Sequence, residues 1–125
     1  MIGFLKRKAR LLLLEDDASM QRLVTTLLKR DGYRVDVFGK GNDAIAALDR
    51  ESYDALLLDL MMPHEGGMTV IRHLRDNKPE LLRRIILLTA TTGSVIANLQ
   101  DEVGAVVRKP FEAAELVATV GRVAR

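Results

Sequence analysis

Leu11–Leu14, Ala55–Leu58 and Ile85–Leu88 are short, unbroken apolar runs. A strand with one face in water alternates polar and apolar residues, so a strand with no polar position must be covered on both faces. Central strands of parallel sheets meet that condition. Tyr33-Arg34-Val35-Asp36-Val37 does alternate, as a strand nearer a sheet edge would, and Ala105–Val107 is a short fifth candidate. Helical periods lie between these segments. Met20, Leu23, Val24, Leu27 and Leu28 follow the spacing of one buried helix face, and Gly32 offers a left-handed stop. Asn42 can cap a second helix that turns Ile45 and Leu48 inward, and Met68, Ile71 and Leu74 mark a third that ends before Pro79. Thr92 or Ser94 starts a shorter fourth through Ile96 and Leu99. The last helix, from about Glu112, buries Leu116, Val117, Val120 and Val123 and places Arg122 and Arg125 near its negative end. Five strands alternating with five helices predict an α/β fold with a parallel sheet and right-handed crossovers.

The chain has 125 residues, the length of one domain, so residues 1–125 are read as a single unit. No apolar run approaches the roughly 20 residues of a membrane helix. There is no cysteine, which excludes disulfides and thiolate metal clusters, and the amino terminus lacks the long apolar core of a secretory signal. A cytoplasmic location is the resulting expectation, without membrane association. Nineteen Lys and Arg against seventeen Asp and Glu leave a net charge of +2, too small a balance to argue for direct nucleic-acid binding. Lys6, Arg7, Lys8 and Arg10 form a local basic run, read as a solvated arm (residues 1–9) leading into the first strand.

In a parallel sheet, ligands bind beyond the carboxyl ends of the strands. The first strand runs directly into Glu15, Asp16 and Asp17, the third finishes in Asp59, the fourth in Thr89 and the fifth in Lys109. Each has an ordinary explanation alone, as a helix cap, a strand threonine or a solvated lysine. Their placement on one sheet edge points further. Crowded carboxylates repel and take up protons unless a hard cation neutralises them, and an oxygen-only donor set suits Mg²⁺. A carboxylate can also attack a phosphoryl group, provided the surrounding charge is neutralised. Mg²⁺, the Lys109 ammonium and the Thr89 hydroxyl would do so from three sides.

The segments LLLLEDD, LLLDLMMP, IILLTAT and VVRKPF, in that order, resemble a response-regulator receiver domain of two-component signalling over essentially the whole chain. The resemblance implies a flavodoxin-like (βα)5 fold with strand order 2-1-3-4-5, the order of a chemotaxis regulator of this family. It implies that Asp59 is the phosphoacceptor, that Thr89 and Lys109 hold the phosphoryl oxygens, and that the Lys109–Pro110 bond is cis. Asp16 would bind Mg²⁺ directly, Glu15 through water, and the Met61 backbone carbonyl would complete the protein ligands. Asp17 is assigned to the start of the first helix, with an Asp16/Asp17 pair as the shifted alternative. His64 and His73 lack ligand spacing and are read as surface residues.

By the same resemblance the donor is a histidine kinase or phosphotransfer protein, and a downstream protein docks on the fourth helix to fifth helix face. The amphipathic last helix offers a face for a homodimer or, equally well, for a partner protein. Such a domain promotes its own phosphorylation and hydrolysis, but it is a switch rather than an enzyme. Because the chain ends with the fifth helix, it is read either as a stand-alone regulator or as part of a longer protein. Several positions depart from the family pattern. Val106 stands where an aromatic is common, the segment from Thr89 to Lys109 is about two residues shorter than usual, and Gly66 replaces a common acid before Gly67. Met61 and Thr91 occupy positions that tune dephosphorylation in relatives. Val106 also keeps open a rival reading, an unphosphorylated pseudo-receiver used for docking. A small Mg²⁺-dependent phosphohydrolase is disfavoured, since it would need Asp-x-Asp after the first strand and usually a cap domain.

Overall fold

A computed structural model describes residues 9–62, 66–90 and 93–124. The elements alternate: β1 (Arg10–Leu14), α1 (Ala18–Arg30), β2 (Arg34–Phe38), α2 (Gly41–Arg50), β3 (Ala55–Asp59), α3 (Gly67–Asn77), a 3-10 helix (Pro79–Arg84), β4 (Ile85–Thr89), α4 (Ser94–Gln100), β5 (Ala105–Arg108) and α5 (Ala113–Val123). All neighbouring strands are parallel, in the order 2-1-3-4-5. Lys6, Arg7 and Lys8 of the basic arm, His64, Thr91, Thr92 and Arg125 lie outside the described residues.

The unbroken apolar runs are explained by two separate cores. Leu12, Leu14, Leu56, Leu58, Ile85 and Leu87 face α2, α3 and α4, where they meet residues such as Leu48, Ile71 and Leu99. Their alternate neighbours Leu11, Leu13, Leu57, Ile86 and Leu88 face α1 and α5 and pack on Val24, Leu28, Leu116 and Val120. A period of two with both faces covered leaves no position for a polar side chain. The edge strand β2 alternates because it is covered less well.

The helices differ from the sequence expectation in detail. Val24 and Leu28 form the buried centre of α1, while Leu23 is 48% exposed. Consecutive helix residues stand about 100° apart, which carries Leu23 off the stripe that Val24 centres. Gly41, not a residue capped by Asn42, opens α2, so Asn42 already lies in the first turn. In α5, Val117 and Val123 are only half-buried, and Thr119 is buried with its hydroxyl donating to the Glu115 carbonyl. The segment after Pro79 forms the unanticipated 3-10 helix. His73 is not a plain surface residue: it is half-buried on α3, with Nε2 3.6 Å from Asp49 Oδ1 on α2. The packing of α2 against α3 draws it in.

In the middle of β2, Asp36 accepts from Arg10 Nη2 at 2.8 Å and from the Tyr53 hydroxyl at 2.7 Å. Burial by itself would raise the Asp36 pKa, but the bonds from Tyr53 and Arg10 outweigh it and leave the carboxyl below its ordinary value. A carboxyl held low in the folded state contributes stability above its unfolded pKa of about 4, and that stability is lost as pH falls through the folded value. Asp36→Asn should therefore cost about 1–2 kcal/mol at pH 7. The gap between wild type and variant should close below about pH 4 in urea titrations; a gap independent of pH would contradict the assignment.

Candidate functional site

The carboxyl ends of β1, β3, β4 and β5 meet on one edge. Asp59 ends β3 and is 6% exposed, Glu15 follows β1 and is 1% exposed, and Thr89 ends β4 fully buried. Lys109 follows β5 and reaches back across the sheet, its Nζ 3.0 Å from Glu15 Oε1 and 3.5 Å from Asp59 Oδ2. The Lys109 amide donates to the Thr89 carbonyl at 2.8 Å, which places the lysine at the mouth, and the Lys109–Pro110 bond is cis. Burial alone would lower the Lys109 pKa. The hydrogen bond to Glu15 and the charge of Asp59 more than reverse that effect, so the ammonium holds its proton more tightly than a free lysine.

Each acid has a distinct environment. Both Glu15 oxygens are engaged, Oε1 by Lys109 and Oε2 by the Asp17 amide at 3.1 Å. Asp59 Oδ1 accepts from the Met61 amide at 3.0 Å, and the Met61 side chain is exposed. Asp16 is exposed at the rim. Asp17 caps α1, its Oδ2 accepting from the Met20 amide at 2.8 Å. An oxygen from each of Glu15, Asp16 and Asp59 lies within 4.8 Å of the others. Three hard oxygen donors at that spacing fit a small divalent cation such as Mg²⁺, with room for retained waters. Asp17 stands outside this grouping.

Two supporting features were not anticipated. The Gln21 side chain on α1 donates to the Glu15 carbonyl, so the first helix steadies the acidic loop. Gly67 begins α3 against the backbone of the phosphoacceptor candidate: a Cβ there would stand 3.0 Å from the Asp59 carbonyl oxygen and 3.3 Å from Leu60 Cα. The Gly66-Gly67 pair was the visible signal for such an approach. Val106 lies half-buried on β5 and packs against the core on the α4 side.

A parallel 2-1-3-4-5 sheet that gathers a buried carboxylate, two further acids, a threonine and a lysine at its carboxyl edge defines the receiver class of signalling domain. The chain belongs to the response regulator receiver domain family, whose model matches residues 11–121. It is thus a receiver domain of two-component response regulators. It is 38% identical over 115 residues to the DNA-binding response regulator MtrA of Mycolicibacterium paratuberculosis, covering 90% of this chain and 50% of that protein. It is 35% identical over 113 residues to the transcriptional regulatory protein DltR of Streptococcus agalactiae, covering 89% and 50%. The chain spans about half the length of these curated relatives.

Among solved structures, the receiver domain of the sensor histidine kinase PA1611 from Pseudomonas aeruginosa superposes with a TM-score of 0.82 at 30% identity, covering 94% of this chain and 98% of that one. That structure holds a magnesium ion in its active site cleft. The response regulator TrrA from Thermotoga maritima, solved with Mg²⁺ and BeF, matches at 28% identity and a TM-score of 0.79, covering 92% and 98%. Among the described residues, no helix is long and apolar enough to cross a membrane.

Proposed function

We propose that Asp59 accepts a phosphoryl group from a histidine kinase or phosphotransfer protein in a Mg²⁺-dependent reaction, in the cytoplasm. The observation that carries this reading is the Asp59 carboxylate itself: Oδ1 is oriented by the Met61 amide and Oδ2 faces the Lys109 ammonium. Asp16, Asp59 and the Met61 carbonyl would hold the Mg²⁺, with Glu15 acting through water. The bound ion would neutralise carboxylate and phosphoryl charge. In the transfer, an Asp59 oxygen forms an O–P bond as the P–N bond to the donor histidine breaks. The electron pair stays on the imidazole, which is left to take up a proton. Thr89 and Lys109 then hold the phosphoryl oxygens. Their contacts to the phosphoryl oxygens arise only in the modified state, so those contacts shift the population toward it and change partner preference on the face running from α4 to α5. A homodimer through α5 is one form such a partner could take.

The test is intact mass after incubation with a small phosphodonor, with and without Mg²⁺, alongside Asp59→Ala. The expected result is one phosphoryl adduct that needs Mg²⁺ and that the variant lacks. Failure to form the adduct, together with failure to bind a beryllofluoride complex, would overturn phosphorylation and favour a docking module. Asp16→Asn should raise the Mg²⁺ concentration needed for half-maximal adduct by about tenfold or more, read from the same assay across a Mg²⁺ titration.

A further inference from the structure

The outer edge of β2 carries a second surface, two strands away from Asp59. Among the described residues β2 is the terminal strand on its side and pairs only with β1. The Arg34 amide donates to the Ala9 carbonyl, and the Phe38 carbonyl accepts from the Glu15 amide. Alternate residues of a strand turn their backbone groups to opposite edges, so Arg34, Asp36 and Phe38 serve β1 while Val35 and Val37 present N–H and C=O outward. Val37 is also 36% exposed. Beside this edge lies an open cavity of about 350 Å³ lined by Lys29, Tyr33, Arg34, Val35 and Asp36.

The charge of this surface is positive. Lys29 and Arg30 close α1 and Arg34 opens β2, and none of the three forms a salt bridge among the described residues. The one carboxylate lining the cavity, Asp36, is occupied by Arg10 and Tyr53. Asp31, which follows Arg30 in sequence, is exposed and carries the opposite charge. A two-fold pairing of this edge with a second copy would bring two cationic rims together, which disfavours self-association. Outward amides and carbonyls, together with an apolar Val37, call for a peptide backbone rather than a phosphate chain.

We propose that the outer edge of β2 docks an extended acidic segment of a partner protein, added to the sheet as a sixth strand. This surface is independent of Asp59, so the test uses the unphosphorylated full chain. The probe is a synthetic peptide of alternating Glu and Val, titrated into ¹⁵N-labelled protein, with a Lys–Val peptide and a single-stranded DNA oligonucleotide as competitors. The expected result is saturable shifts centred on the Val35 and Val37 amides. The Lys–Val peptide should bind about tenfold more weakly or worse, as should the Glu–Val peptide with the Lys29→Glu/Arg34→Glu variant. Val37→Pro removes an outward donor without touching the β1 ladder, and it should abolish the shift at Val35 while the spectrum stays dispersed. The proposal is overturned by absent shifts at the two valines, by equal binding of the lysine peptide, or by tighter binding of the oligonucleotide. If Val37→Pro does not fold, the charge-reversal variant decides.

Discussion

Gly104→Ala is expected to destabilise the domain by about 2–4 kcal/mol, as a clash with backbone that cannot swing aside. A Cβ at Gly104 would overlap the Arg83 carbonyl oxygen and stand 3.0 Å from the Ile85 carbonyl oxygen. The Gly104 amide already donates to that Ile85 oxygen at 2.9 Å, which ties the entry of β5 to the start of β4. To admit a methyl group, either β5 must retreat from β4 or the carboxyl end of the 3-10 helix must move. The 3-10 end is itself held, since the Arg83 guanidinium donates to the Asp101 and Val103 carbonyls at 3.1 Å each. The melting midpoint should fall by roughly 10 °C. Gly39→Ala is the control, because nothing lies within 4 Å of its Cβ position. Equal midpoints for the two variants would show that the close approach relaxes at little cost.

Lys109→Met should cost about 3 kcal/mol in Mg²⁺-free buffer at neutral pH, because it leaves two buried carboxylates facing each other without a cation. Its ammonium lies within 3.5 Å of both Glu15 and Asp59, which are 1% and 6% exposed. The loss should shrink when Mg²⁺ is added, since a divalent ion at the same carboxylates supplies the missing positive charge. It should shrink again in Lys109→Met/Glu15→Gln, where one of the opposed charges is gone, and the double-mutant cycle should show a coupling of about 1 kcal/mol or more. Additive losses would mean that Lys109 acts on stability through its backbone and stem rather than its charge. Because Lys109 is also proposed to hold the phosphoryl oxygens, the stability measurement belongs to the unphosphorylated protein.

The site was legible in the sequence to an unusual degree because its residues sit at strand ends. A strand end is a local event: an apolar run stops and a polar residue follows. In a parallel sheet every such end falls on the same edge. Glu15, Asp59, Thr89 and Lys109 could therefore be gathered without knowing a single contact. The individual roles of the acids were less legible. That Glu15 uses both oxygens on Lys109 and the Asp17 amide depends on a lysine 94 residues away and on the path of one loop, whereas the place of Asp17 at the start of α1 follows from its position after the strand.

The sequence by itself determined the five strands, the five α-helices and which residues meet at the carboxyl edge, though not the 3-10 helix after Pro79, because a period of two or 3.6 and the residue that ends it are properties of neighbours along the chain. Tertiary structure alone decided the rest. Leu23 is exposed because the sheet covers the Val24 side of α1. Asp36 is held because register sets β2 beside Arg10 and brings Tyr53 against it. Gly104 is required because the 3-10 helix returns its Arg83 carbonyl to the start of β5. Each of these is a contact between distant parts of the chain, and periodicity carries no information about which distant backbone will arrive.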